Sequence, residues 1–99
     1  MAAEVPVVVV DVERHGRFEA RLDGVLVGFA EYVRAESDEG VVIYPHTVVS
    51  RAHRGRGVGA ALARAALADA RSRGLKVRPT CTYMAEWITR HPEYQDLVE

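Results

Sequence analysis

Cysteine is almost absent from this chain of 99 residues: Cys81 stands alone, so no internal disulfide can form, and a reducing cytoplasm is the expected setting. Long hydrophobic runs are missing too. The longest apolar stretch without glycine, Val5–Val10, is far shorter than the roughly 20 residues of a membrane span. Glu4 precedes it where a secretory leader carries positive charge, so neither membrane insertion nor export is expected. There is no internal repeat, linker or low-complexity segment, and lysine is nearly absent, since twelve of the thirteen basic residues are arginine. With 48% hydrophobic and 27% charged residues, the composition is that of a folded globular chain. Its length suits one domain spanning residues 1–99.

The net charge of −1 hides an asymmetry. Residues 1–48 hold nine acids and four bases, whereas residues 49–99 hold nine bases and five acids. General nucleic-acid binding is disfavoured by that balance, while the bases between Arg51 and Arg78 point to a local anion site or to a solvated helix face.

The first half reads as strands. Pro6–Val12 is β-branched and ends at His15-Gly16. Arg17–Leu22 alternates strictly, which turns Phe18, Ala20 and Leu22 inward. Asp23-Gly24 is a strong hairpin signal and leads into an apolar strand, Val25–Arg34. A turn at residues 37–40 precedes a fourth strand, Val41–Val49, in which Pro45 predicts a bulge or a splay. After Ser50 the period becomes helical over Gly57–Arg73, with Gly74 as a C-terminal stop. A strand over Leu75–Thr82 and a short helix over Met84–Arg90 follow. The order β-β-β-β-α-β-α is an α+β class on one sheet, and the helical crossover makes the last two strands parallel.

The stretch Arg51-Ala-His-Arg-Gly-Arg-Gly-Val-Gly-Ala60 lies between a strand and a helix. Alternate glycines allow close backbone approach, the helix start offers free N–H groups, and three arginines add positive charge. These are the parts of a pyrophosphate cradle. Glycines at 55, 57 and 59 miss the dinucleotide fingerprint, and Ala60-Ala61 replaces the lysine and hydroxyl of a Walker loop.

Arg54-Gly-Arg-Gly57-Val-Gly59 resembles the R/Q-x-x-G-x-G/A loop of the GNAT acetyltransferase superfamily. The runs His46-Thr-Val-Val49, Ala66–Cys81 and Arg90–Val98 are similar to those of its small single-domain N-acetyltransferase members. That resemblance implies a minimal GNAT fold, a mainly antiparallel twisted sheet whose two parallel strands flank an acetyl-CoA site. It implies that the amides of Arg56, Gly57, Val58, Gly59 and Ala60 take the pyrophosphate, with Arg54 and Gly55 beside them. Thr47, Val48 and Val49 would pair with the pantetheine arm. Val48 stands where the family commonly has glutamate, so a carboxylate base from that position is missing. The side facing the acceptor should be open.

His46 has a suitable intrinsic pKa for a general base, or it serves the Pro45 distortion. Cys81 is either an acyl-accepting nucleophile or a small buried hydrophobe. Tyr83 and Tyr94 are candidate acids or packing groups, and an indole at Trp87 cannot donate as an acid. No histidine has metal-ligand spacing, so no metal is expected. The reading is an N-acetyltransferase using acetyl-CoA, with an unidentified amine of a small molecule, protein lysine or N-terminus as acceptor. The alternatives are a non-catalytic CoA- or acyl-CoA-binding module and, less favoured, an RNA-contacting one. Sequence leaves the oligomeric state open.

Overall fold

A computed structural model of the chain describes residues 6–34 and 40–99, so the turn expected at 37–40 lies outside them except for Gly40. Strands β1 (Val7–Val12), β2 (Arg17–Leu22) and β3 (Val25–Glu31) form an antiparallel meander. The β2–β3 turn is tight because Asp23 and Gly24 both take positive φ, 53° and 80°. A register shift between Ala20 and Arg21 places Val27 as an extra residue on β3 and turns it into the core.

The run expected as one strand over Val41–Val49 is two. Strand β4 (Val41–Ile43) pairs in parallel with β6 (Lys76–Arg78), whereas β5 (Thr47–Val49) pairs antiparallel with β3. Pro45 accounts for the break, since it has no N–H to donate. On one side of it, Tyr44 N–H donates to Arg78 O and Tyr44 O accepts from Cys81 N–H. On the other side, His46 O accepts from Glu31 N–H. Because Val33 pairs with Ile43 while Glu31 meets His46, Tyr44 and Pro45 together oppose Tyr32. The result is both a bulge and a splay, with β5 departing from β6. The same irregularity ends β3 at Glu31 rather than at Arg34.

Helix α1 (Val58–Ser72) crosses one face of the sheet, and Val58, Leu62, Ala63, Ala66, Leu67 and Ala70 are its buried stripe. The alanines let it lie close. At Gly28 the approach leaves no room: a Cβ would come within 2.7 Å of Val48 O and 3.0 Å of a Val58 methyl. The buried Tyr44 hydroxyl donates to Ala66 O at 2.7 Å and fixes the middle of α1 to β4. Asp11, Arg34, Asp69 and Arg73 tie β1 and the segment after β3 to the last turns of α1, with Arg34 and Arg73 both bonded to Asp69. The strand expected over Leu75–Thr82 is only Lys76–Arg78, stopping before Pro79, and helix α2 (Thr82–Arg90) begins two residues earlier than the periodicity suggested. A 3-10 segment, Pro92–Leu97, returns Leu97 to the core.

No helix covers the other sheet face among the described residues. There Glu19, the buried charged side chain at 4% exposure, is enclosed by His15 at 3.0 Å, Arg17 at 2.9 Å and Arg21 at 3.3 Å. The hydrogen bonds from His15 and Arg17 lead in holding its carboxyl near 2, against the opposing effect of burial.

Candidate functional site

The Arg51–Ala60 loop leaves β5 and enters α1. Gly55 and Gly57 both adopt φ of 80°, a conformation that L side chains resist, and Gly57 is the N-cap of α1. No side chain caps this helix. Its first turn closes with Ala61 N–H donating to Gly57 O, so the amides of Val58, Gly59 and Ala60 precede the first helical bond and remain open to an anion. The first turn contains no acidic residue. Arg51, Arg54 and Arg56 are exposed and make no ion pair among the described residues.

A cavity of about 430 Å³ lies against this loop, bounded by Thr47 and Val49 of β5, by His53, and by Gly57–Ala60. Arg54, Gly55 and Tyr83 complete it. Of the residues nominated from the sequence, Thr47, Val49, Arg54, Gly55, Gly57, Val58, Gly59 and Ala60 therefore meet around one hollow. Val48 and His46 do not line it. They point to the uncovered sheet face, as alternation along β5 requires. Arg56 is exposed at the rim sequence of the loop and is also absent from the lining.

Cys81 is the N-cap of α2, and its sulfur lies 3.7 Å from Thr47 Oγ1 across the splay. Burial pushes the thiol pKa up. The Met84 and Tyr83 amides at the helix start, with the Thr47 hydroxyl and backbone, outweigh it and leave the thiol below its ordinary value. No hydrogen bond joins His46 to Cys81 among the described residues. Tyr83 lies directly over Gly59: a Cβ on that glycine would collide with the phenol ring and hydroxyl. Burial raises the Tyr83 pKa, with Arg64 and Arg90 opposing, so the phenol is protonated at neutral pH. Tyr94 instead packs on Trp87, 5.4 Å between centroids, and Trp87 stacks on His91 at 3.6 Å.

The sequence reading missed the Tyr83–Gly59 contact and the place of Cys81 at a helix start. Only the helical period, had it been extended back from Met84 to Thr82, signalled the latter.

The parallel β4–β6 pair, with β5 departing beside it, and the glycine loop at a helix start define an α+β class in which an uncapped helix N-terminus faces a cavity along a strand. A family profile described as GCN5-related N-acetyl-transferase matches residues 17–97, and the chain belongs to that family. A GCN5-like protein of Staphylococcus aureus has the same fold, with TM-score 0.70 and 24% identity over 92% of this chain and 86% of its own. Ard1 of Thermoplasma volcanium aligns at TM-score 0.61 and 24% identity, over 83% of this chain and 55% of its own. AAC(6')-Iy, in complex with the bisubstrate analogue CoA-S-monomethyl-acetylneamine, aligns at TM-score 0.56 and 25% identity, over 84% of this chain and 60% of its own. The chain thus spans little more than half of those two larger proteins. A search of curated proteins finds no match. Among the described residues, no cluster of His, Cys, Asp or Glu has the form of a metal site, and no helix is long and apolar enough to cross a membrane.

Proposed function

We propose that this protein transfers the acetyl group of acetyl-CoA to an amine. The observation that carries this reading is the loop whose Gly55 and Gly57 turn the uncapped start of α1 toward a cavity running along β5. A pyrophosphate at the amides of Val58, Gly59 and Ala60 is favoured by their free N–H groups and by the helix dipole, with Arg54 and Arg56 adding charge. The pantetheine arm then follows β5 from Val49 to Thr47, which directs the thioester to the end where β5 leaves β6.

The chemistry needs a neutral amine. A primary amine of pKa about 10.4 is deprotonated in only about one molecule in 2,500 at neutral pH, so a base shortens the wait. His46, one residue beyond Thr47, is our base. The amine nitrogen forms a bond to the acetyl carbon, the C–S bond breaks, and CoA leaves as a thiolate that takes a proton from Tyr83. A strand-edge amide near Val48–Val49 would donate to the carbonyl oxygen as charge builds there. A two-step route passes the acetyl group first to the Cys81 sulfur, and its lowered pKa favours the thiolate that this route needs.

Thermal melting with CoA, acetyl-CoA and an oligonucleotide tests the ligand. Stabilisation by both CoA species and not by the oligonucleotide is expected, and no shift with either at saturation removes the reading. Release of free thiol from acetyl-CoA on adding amine then separates an enzyme from a binding module. Mass spectrometry for acetyl on Cys81 separates the two routes.

A further inference from the structure

The outer strands of the molecule are finished differently. Beyond β6, Val98 bridges Val77 and Glu99 N–H donates to Val77 O, so these two residues cover that strand. At the opposite side β1 is outermost, and no strand or loop among the described residues pairs with its outer edge. An outer strand leaves a row of backbone N–H and C=O groups unpaired. Bulges, prolines and charged side chains are the usual means of blunting such a row. β1 uses none of them. Its register with β2 runs from Val7 to Val12 without a shift, so no bulge twists it away. Pro6 precedes the strand and leaves its ladder intact. Its one charged residue, Asp11, is drawn to the α1 side, where it accepts from the Tyr32 hydroxyl at 2.6 Å and pairs with Arg34 and Arg73 at 3.8 Å. The other five residues are valine. Two of them, Val8 and Val10, lie on the uncovered face and are 54% and 50% exposed.

We propose that β1 is an interface between two copies of this chain, formed by antiparallel pairing of β1 with itself about a two-fold axis. A bare strand edge is completed by another strand, and this one is complementary to itself. With Val9 opposite Val9 of the second copy, Val8 opposes Val10 of that copy and Val10 opposes its Val8. Both exposed valines are thereby matched, in two equivalent rows. Opposed residues then share a parity, so the uncovered faces of the two copies lie on one side and the α1 helices on the other.

Charge and bulk agree with this register. Behind Val8 stands Arg21, and behind Val10 stands Glu19. A row across the joint therefore runs Arg21, Val8, then Val10 and Glu19 of the second copy, and no like charges are opposed. The C-terminal end of α1 reaches β1 at Asp11 through Arg73. Antiparallel pairing sets the two Asp11 positions at opposite ends of the joint, so the helix ends do not meet. The cavity lies along β5, at the far side of the strand order β1-β2-β3-β5, and stays open in both copies. The ladder spans about five residues a side, against roughly 20–30 in a standard interface, so the association is weak. Because both copies use the same edge, it stops at two.

Sedimentation from about 10 µM to about 1 mM should show the mass rising toward that of two chains and no further. Over the same range, amide NMR signals of β1 should shift while those of β5 and the glycine loop stay in place. Val8→Lys with Val10→Lys opposes lysine to lysine in both rows, and should raise the dissociation constant about tenfold or more. Val8→Lys with Val10→Glu opposes lysine to glutamate and should keep the dimer. Circular dichroism reports whether each variant is folded; if one is not, the spectra of the parent decide. A monomer at every concentration, shifts centred outside β1, or undiminished association of the double-lysine variant overturns the interface. Equal weakening by the two folded variants overturns the Val9-centred register.

Discussion

The Thr47 hydroxyl meets the Cys81 thiol at 3.7 Å across the gap where β5 leaves β6. One residue lines the cavity beside the glycine loop and the other starts α2, so this contact couples β5 to α2. Burial alone would keep the thiol protonated, yet the Met84 and Tyr83 amides and Thr47 together lower its pKa. Alkylation of Cys81 by iodoacetamide should therefore show a pH midpoint below that of the same thiol in the unfolded chain. Thr47→Val should move the midpoint up, and saturating CoA should slow the reaction at every pH. A midpoint at or above the ordinary value would dismiss Cys81 as an activated nucleophile.

Acid stability turns on Glu19. Its folded pKa is near 2 against 4.5 for the free group, through hydrogen bonds from His15 and Arg17, with Arg21 contributing last. A carboxyl with a depressed folded pKa stabilises the fold above its unfolded pKa. That contribution is lost as pH falls from about 4.5 toward 2. Asp96 and Glu99, lowered by Arg71 and Arg78, act in the same direction. Urea midpoints measured from pH 7 down to pH 2 should fall across that window, and Glu19→Gln should flatten the fall. An unchanged slope in the variant would mean that His15, Arg17 and Arg21 do not discriminate the ionised carboxyl.

Gly28 tests the seating of α1. A Cβ there meets the Val48 carbonyl at 2.7 Å, and a carbonyl in a paired strand cannot swing aside as a surface side chain can. Overpacking of this kind costs about 1–3 kcal/mol. In a domain of this size each kcal/mol lowers Tm by roughly 4–8 °C, so Gly28→Ala should melt several degrees lower. A melting temperature equal to the parent's would show that β5 or α1 yields without cost. Val58→Ala in the same background should recover part of the loss by removing the methyl at 3.0 Å.

Local signals were legible where local chemistry decides. The hairpin followed from Asp23-Gly24, the α1 stripe from its apolar period, and the parallel β4–β6 pair from a helix between strands. What the period cannot carry is which strand a residue pairs with. Val41–Val49 reads as one strand, yet Pro45 sends its halves to different neighbours, and only the hydrogen bonds of Tyr44 and His46 reveal it. Alternation also set Glu19 outward, where it is, but gave no hint that His15, Arg17 and Arg21 bury it. The glycine loop was readable because its residues are contiguous. The Thr47–Cys81 contact was not, since it forms only across the splay.

Gly57 separates backbone conformation from space. A Cβ at Gly57 touches nothing within 4 Å, so an added methyl is not excluded by crowding; the obstacle is the φ of 80° at the N-cap of α1. A non-glycine residue pays about 1–2 kcal/mol there, which corresponds to roughly 5- to 30-fold in affinity where the ligand must restore the loop. Gly57→Ala should weaken CoA binding within that range in calorimetric titration. Gly57→Asn should weaken it less, because asparagine tolerates the left-handed region by bonding to its own backbone. If Ala and Asn bind CoA as the glycine protein does, the loop is not held in this conformation by the ligand. If both abolish binding equally, the added side chain obstructs the phosphates and conformation is not the deciding term.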